Sequence, residues 1–186
     1  MLALGTPAPD FLLPDVSTGK VVALSAFAGK DALLVVFLCA HCPYVVHLAP
    51  ALAQLGRDYA ERSLAIVGIT ANDIANYPQD APAPTAAFAR AQGFNFPILF
   101  DESQSVAKAY TAACTPDFFL FDRGRQLAYR GQFDRTRPRA GTPDGADLRA
   151  AIDAILAGKI VSDDQRPSIG CNIKWKPGHE PQFLGH

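Results

Sequence analysis

At 186 residues, with 49% hydrophobic and 19% charged residues, the chain is long enough to bury a core and too apolar to be disordered. A formal net charge of −1, with Lys and Arg scattered along the chain, carries no electrostatic footprint for nucleic acid. No apolar stretch approaches the roughly 20 residues that span a bilayer, and four cysteines are too few for a disulfide scaffold.

The N-terminus lacks a basic residue and meets Pro7, Pro9 and Asp10 at once, unlike a secretory signal, so a cytoplasmic location is expected. Phe11–Leu13 and Val21–Leu24 flank a turn and predict a hairpin-like pair, with Ser25 to Gly29 as a short turn. Residues 32–38, Ala-Leu-Leu-Val-Val-Phe-Leu, form an unbroken apolar run, the pattern of a strand buried on both faces. A helix follows from about Cys42 to Arg62: Pro43 suits its first turn, and Val45, Leu48, Leu52, Leu55 and Tyr59 make one face. Pro50 lies inside it and predicts a kink. Residues 64–70 predict a second buried strand, completing a parallel, right-handed βαβ unit.

Residues 71–84 are rich in Pro, Asn and Asp and read as a loop. Thr85 is the expected N-cap of a helix through Ala91, closed by Gly93. A strand at 97–100 and a short helix at 102–110 come next. Strands at 117–122 and 127–131 around Asp122–Arg125 predict a hairpin. Leu148, Ile152, Ile155 and Leu156 mark a last helix closed by Gly158. Residues 159–186, with Cys171 and Trp175, read as an irregular tail, and the whole of 1–186 as one domain.

Cys39-Ala40-His41-Cys42 is the chemical centre of this plan. It stands where a buried strand hands over to a helix, so its sulfurs lie near the positive helix N-terminus, a field that favours thiolate. The spacing also suits half of a zinc site completed by Cys114 and Cys171, but one pair with a helical Pro43-Tyr44 continuation fits redox chemistry better. His41 between the thiols could stabilise a thiolate as an imidazolium. His47, off the apolar helix face, is expected at the surface, and His179 and His186 carry no mechanistic expectation.

Four segments carry a resemblance: Gly5-x-x-Ala8-Pro9-Asp10-Phe11; Val35 through Val45; Gly93-Phe94-x-Phe96-Pro97-x-Leu99-x-Asp101-Glu102; and Cys114 through Asp122. On these the chain resembles the thioredoxin-like superfamily, in its peroxiredoxin-like branch of alkyl hydroperoxide reductases and thiol-specific antioxidants, over nearly its whole length. The resemblance implies an α/β thioredoxin-like fold: a central mixed β-sheet flanked by helices, with an N-terminal hairpin extension and a C-terminal tail. It implies that Cys39 is the exposed attacking thiol and Cys42 the more buried resolving one. Thr115-Pro116 is implied to be a cis-proline loop that faces the dithiol and pairs with substrate strands. Cys114, two residues before Pro116, is thereby a candidate additional redox thiol, whereas Cys171 is expected to be an unreactive thiol.

Two departures shape the expected activity. Peroxiredoxins carry a Thr three positions and a Pro seven positions before the reactive Cys, and an Arg before a later strand. Counting back from Cys42, Cys39 and Val35 stand there, and Cys114-Thr115-Pro116 replaces the Arg. Thioredoxins carry a buried Asp six residues before the first Cys, where Leu33 stands. The expected function is therefore a thiol–disulfide oxidoreductase using Cys39, Cys42 and His41, more oxidising than thioredoxin at about −270 mV. It would need no cofactor or resident metal. Its partners would be a disulfide-bearing protein or a small thiol or peroxide, with an external thiol reductant or oxidant. The alternatives are a weak thiol peroxidase, with Cys42 oxidised and Cys39 resolving, and a metal-binding or metal-delivery protein using Cys39, Cys42 and His41.

Overall fold

The structure, a computed structural model, describes residues 2–182. A two-stranded antiparallel ribbon, β1 (Leu12–Pro14) and β2 (Val21–Ala23), opens the chain and ends in a 3₁₀ turn at Leu24–Phe27. The main elements follow as β3 (Ala32–Phe37), α1 (Pro43–Asp58), β4 (Leu64–Thr70), α2 (Pro82–Gln92), β5 (Ile98–Phe100) and α3 (Ser105–Ala109). Then come β6 (Cys114–Thr115), β7 (Asp117–Phe121), β8 (Leu127–Gly131), α4 (Ala146–Leu156) and β9 (Cys171–Asn172). The central sheet has the order β5-β4-β3-β7-β8, parallel through β5, β4 and β3 and antiparallel through β7 and β8. This is the mixed α/β, thioredoxin-like architecture that the resemblance implied.

Every residue of β3, β4 and β7 is buried, as their apolar runs require, with Thr70 and Asp117 buried at the strand ends. Period-two alternation splits the core. Leu34, Val36 and Leu38 pack toward α1 and α4, while Leu33, Val35 and Phe37 pack toward α3 and the N-terminal ribbon. Thr115–Pro116 is a cis peptide bond.

Several boundaries depart from expectation. Helix α2 begins four residues early, with Ala81 rather than Thr85 at the N-cap and Pro82 as its first residue: a proline at the first helical position lacks a donor the helix would leave unused. Thr85 instead lies inside the helix and its hydroxyl donates to the Asp80 carbonyl at 3.1 Å. The 71–84 segment is not all loop, since Pro78–Asp80 forms a 3₁₀ turn. Helix α1 stops at Asp58 and α3 is confined to five residues.

The tail is irregular as expected, apart from β9, but it is held against the body of the fold. Residues 159–182 do not trail away: β9 pairs antiparallel with β6, with Cys114 opposite Asn172 and Thr115 opposite Cys171. Arg166 O accepts from Gln132 N at 2.8 Å, and Ser168 Oγ donates to Gly131 O at 2.7 Å. Beyond β9, the Lys174 backbone bonds to Asn72 and Asp73, and Gln104 holds both Lys174 O and Lys176 N. Ile173 is buried, and Trp175 packs against the second core cluster. Residues 160–176 thus form a strap across one end of the sheet. His186 lies outside the described residues.

Candidate active site

Strand β3 delivers Cys39 and the N-cap of α1 delivers Cys42. Both sulfurs approach Thr115, the residue before the cis-proline. Cys39 Sγ lies 3.4 Å from Thr115 Oγ1, and Cys42 Sγ lies 3.1 Å from the Thr115 carbonyl oxygen, to which it donates when it carries the proton. All four cysteines are free thiols. The expectation of an exposed Cys39 is not met: Cys39 is 1% and Cys42 0% accessible. The physical reason is the cover: the Thr115 hydroxyl and Asp80 lie against the Cys39 sulfur, and Cys171 of the strap lies against Cys42.

The two thiols behave as one acid. Cys42 is drawn below the ordinary thiol range, chiefly by the hydrogen bond Cys39 gives it; burial opposes this, while Cys171 and the Val45 N–H assist. Cys39 is pushed up, first because its proton is engaged by Cys42, then by burial, with the Asp80 charge adding and the Thr115 hydroxyl subtracting. The pair therefore parks its negative charge on Cys42.

Asp80 is the functional residue that sequence reasoning missed. It is wholly buried, accepts from Ala40 N at 3.0 Å and from Asn72 Nδ2 at 2.8 Å, and approaches His41 Nδ1 to 2.6 Å. That approach lies off the ring nitrogen's bonding direction, leaving His41 Nδ1 without a formal hydrogen bond. His41 also stacks on Tyr77, ring centres 6.0 Å apart. His41 therefore faces the Asp80 carboxylate as well as Cys39. The run of Pro, Asn and Asp before α2 was the one local sign of a loop that folds back.

Donor atoms of Cys39, His41 and Asp80 lie within 4.8 Å of one another, so these three would be the ligands in a metal-binding reading. Cys42 is not in that group, so the trio expected from the sequence forms only in part. His47 is half-buried and pairs with Thr136 Oγ1 at 3.1 Å, away from the dithiol. Cys114 alternates with Thr115 along β6 and so points to the other side, with Sγ 3.7 Å from Pro116 O. Burial, with Asp117 adding, raises its pKa and keeps it a thiol.

Residues 4–130 match the AhpC/TSA family model. A hypothetical protein of Sinorhizobium meliloti 1021 is 52% identical, with a TM-score of 0.93 over 96% of this chain and 97% of the other. An uncharacterized conserved protein of Geobacillus kaustophilus is 47% identical, with a TM-score of 0.93 over 96% and 95%. A thiol:disulfide interchange protein of the thioredoxin family from Chlorobium tepidum shares the fold at 22% identity, with a TM-score of 0.63 over 84% and 99%. No curated protein matches.

Proposed function

Since the chain belongs to the AhpC/TSA family, we propose that it is a thiol–disulfide oxidoreductase in which Cys39 and Cys42 cycle between dithiol and disulfide. The observation that carries this reading is the double contact of Thr115 with both sulfurs. With the charge on Cys42, Cys39 donates to it and the pair rests. When the proton moves from Cys39 to Cys42, the Thr115 carbonyl accepts the new Cys42 S–H and the Thr115 hydroxyl donates to the Cys39 thiolate. One residue stabilises the reactive proton arrangement from both ends, and neither charge needs bulk water.

From that arrangement Cys39 attacks a substrate disulfide, forming a mixed disulfide and expelling one substrate thiolate, which takes up a proton. Cys42 then loses its proton, attacks Cys39 Sγ and expels the second substrate thiol. The product is the Cys39–Cys42 disulfide, and the substrate carries away both electrons. An external thiol restores the dithiol. Asp80 sets the local charge, and Thr115 and Pro116 present the edge beside the sulfurs, which an external substrate strand reaches by displacing β9. Cys114 is left out of this cycle.

The lowered Cys42 pKa at the head of α1 favours one second reading, a thiol peroxidase with Cys42 oxidised to a sulfenic acid and Cys39 resolving it. The test of the main reading is a redox titration in dithiothreitol buffers with acid quench and peptide mapping. A single two-electron transition in which Cys39 becomes joined to Cys42 is expected, and loss of catalysed disulfide reduction in Cys39→Ser and Cys42→Ser. Both thiols remaining free at every poise would overturn it. A thiol count with and without chelator separates the metal reading.

A further inference from the structure

The strap seats a third sulfur at the dithiol. Directly opposed residues of an antiparallel pair put their side chains on the same face. Thr115 is opposite Cys171, and its hydroxyl touches Cys39 while its carbonyl touches Cys42. The Cys171 side chain therefore projects on the side of β6 that faces the dithiol, and it packs against the core cluster containing Cys39 and Cys42. Cys114, opposite Asn172, belongs to the other face.

The fit is specific. A Cβ on Gly170 would stand 2.1 Å from the Thr115 carbonyl oxygen and 2.6 Å from its carbon, so only glycine lets the strap lie this close. The neighbouring Ile173 N donates to Ala113 O at 3.2 Å, and Ile173 is buried. An extended segment has added itself to the free edge beside the reactive sulfurs, the geometry of a bound substrate strand.

We infer that Cys171 is a third redox thiol, held on the edge of the Thr115 loop by the C-terminal strap as an internal substrate, and that it exchanges with the Cys39–Cys42 disulfide. This rests on the reading of Cys39 and Cys42 as the redox pair. In the step, Cys171 loses its proton and its sulfur attacks Cys42 Sγ. The Cys42–Cys171 bond forms and the Cys39–Cys42 bond breaks. Cys39 leaves with the electron pair and takes up a proton. The number of disulfides is unchanged, so no further oxidant or reductant enters.

In the reduced protein Cys171 is raised to about 11, first by burial and then by its hydrogen bond to Cys42 and the charge there. The last two causes vanish once Cys42 Sγ is in a disulfide, which favours exchange from the oxidised state. The exchange stores the oxidising equivalent beneath the strap, ties the strap to the site and returns Cys39 as a thiol.

The test uses the full chain as Cys39→Ser, treated with stoichiometric diamide, which takes two electrons and two protons from a pair of thiols. An intramolecular Cys42–Cys171 disulfide is expected as the main product on peptide mapping after acid quench. Adding Gly170→Ala should slow its formation at least about tenfold, because the sulfur loses its high effective concentration. Acid-quenched wild-type protein at intermediate poise should contain the Cys42–Cys171 isomer beside Cys39–Cys42, a measurement independent of whether the variants fold. Absence of a Cys42–Cys171 bond from both proteins overturns the inference. Absence of the Cys39–Cys42 bond from wild type removes the parent reading instead, and the Cys39→Ser result still reports on Cys171 alone.

Discussion

Asp80→Asn removes a buried negative charge from beside the dithiol without removing the side chain, and the consequence can be worked from the geometry. The carboxylate and Cys39 Sγ lie within 4.8 Å. At an effective dielectric constant of about 20 a full charge at that distance opposes a thiolate by about 3.5 kcal/mol. For a two-electron couple that corresponds to about 75 mV. That is a ceiling, because the reduced pair rests with its charge on Cys42 rather than Cys39 and because Ala40 N, Asn72 and His41 already draw on the carboxylate, so about 20 to 40 mV is expected. The sign follows from the reduced state: relieving the repulsion stabilises thiolate, hence the reduced form, so the potential becomes less negative. Asn keeps an acceptor for Ala40 N but sets an amide against Asn72 Nδ2, whereas Asp80→Ala loses both bonds. The two variants should therefore differ in stability yet agree in potential. Equilibration against dithiothreitol buffers measures the potential and urea unfolding the stability. A shift under about 10 mV in both, or one toward more reducing values, refutes the electrostatic argument.

Thr115→Val keeps the carbonyl contact but deletes the hydroxyl that donates to a Cys39 thiolate; loss of about 1 kcal/mol should make the potential about 20 mV more negative, read in the same equilibrium. Asp117 is raised from 3.8 to about 6, mainly by burial, so its ionised form is disfavoured in the fold and stability falls as pH rises from about 4 through 6. Asp117→Asn removes that loss, and its stability relative to wild type should improve by about 2–3 kcal/mol between pH 4 and pH 8 in urea unfolding; a pH-independent difference contradicts the assignment. With Cys39, Val35 and the Cys114-Thr115-Pro116 run where peroxiredoxins carry Thr, Pro and Arg, Cys42 should react with hydrogen peroxide little faster than a free thiolate of similar pKa. A stopped-flow rate several orders of magnitude higher would promote the peroxidase reading.

The elements that could be read in advance are those whose whole length is apolar or periodic. β3, β4 and β7 sit within a residue of their expected bounds because their polar residues stand only at the ends, Thr70 closing β4 and Asp117 opening β7, and leave the apolar runs unblurred. Cys39 and Cys42 stood out because spacing and flanks agreed, and the Thr115–Pro116 geometry came through resemblance. Asp80 was not legible: its role depends on a loop crossing back over forty residues to Ala40, and local pattern contains no such distance. Nor was β9, whose two residues are too few for alternation to register. Its available signal was Ile173 and Trp175, apolar residues in a polar stretch beside Gly170 and Cys171. The burial of the dithiol goes with these two omissions, because the Asp80 segment lies against Cys39 and the strap's Cys171 against Cys42.

The strap is also a matter of timing. Its contacts are among the most distant in the chain, Lys174 N reaching Asn72 across 102 positions and Cys171 pairing with Thr115. Contacts of such separation form late, and on a ribosome they cannot form until the C-terminal residues have emerged. During synthesis the sheet and the Thr115 loop can therefore assemble around a dithiol that still lacks its cover. The last segment made is the one that closes the site, so a chain stopped short of residue 170 would present its sulfurs to any oxidant or protein thiol nearby.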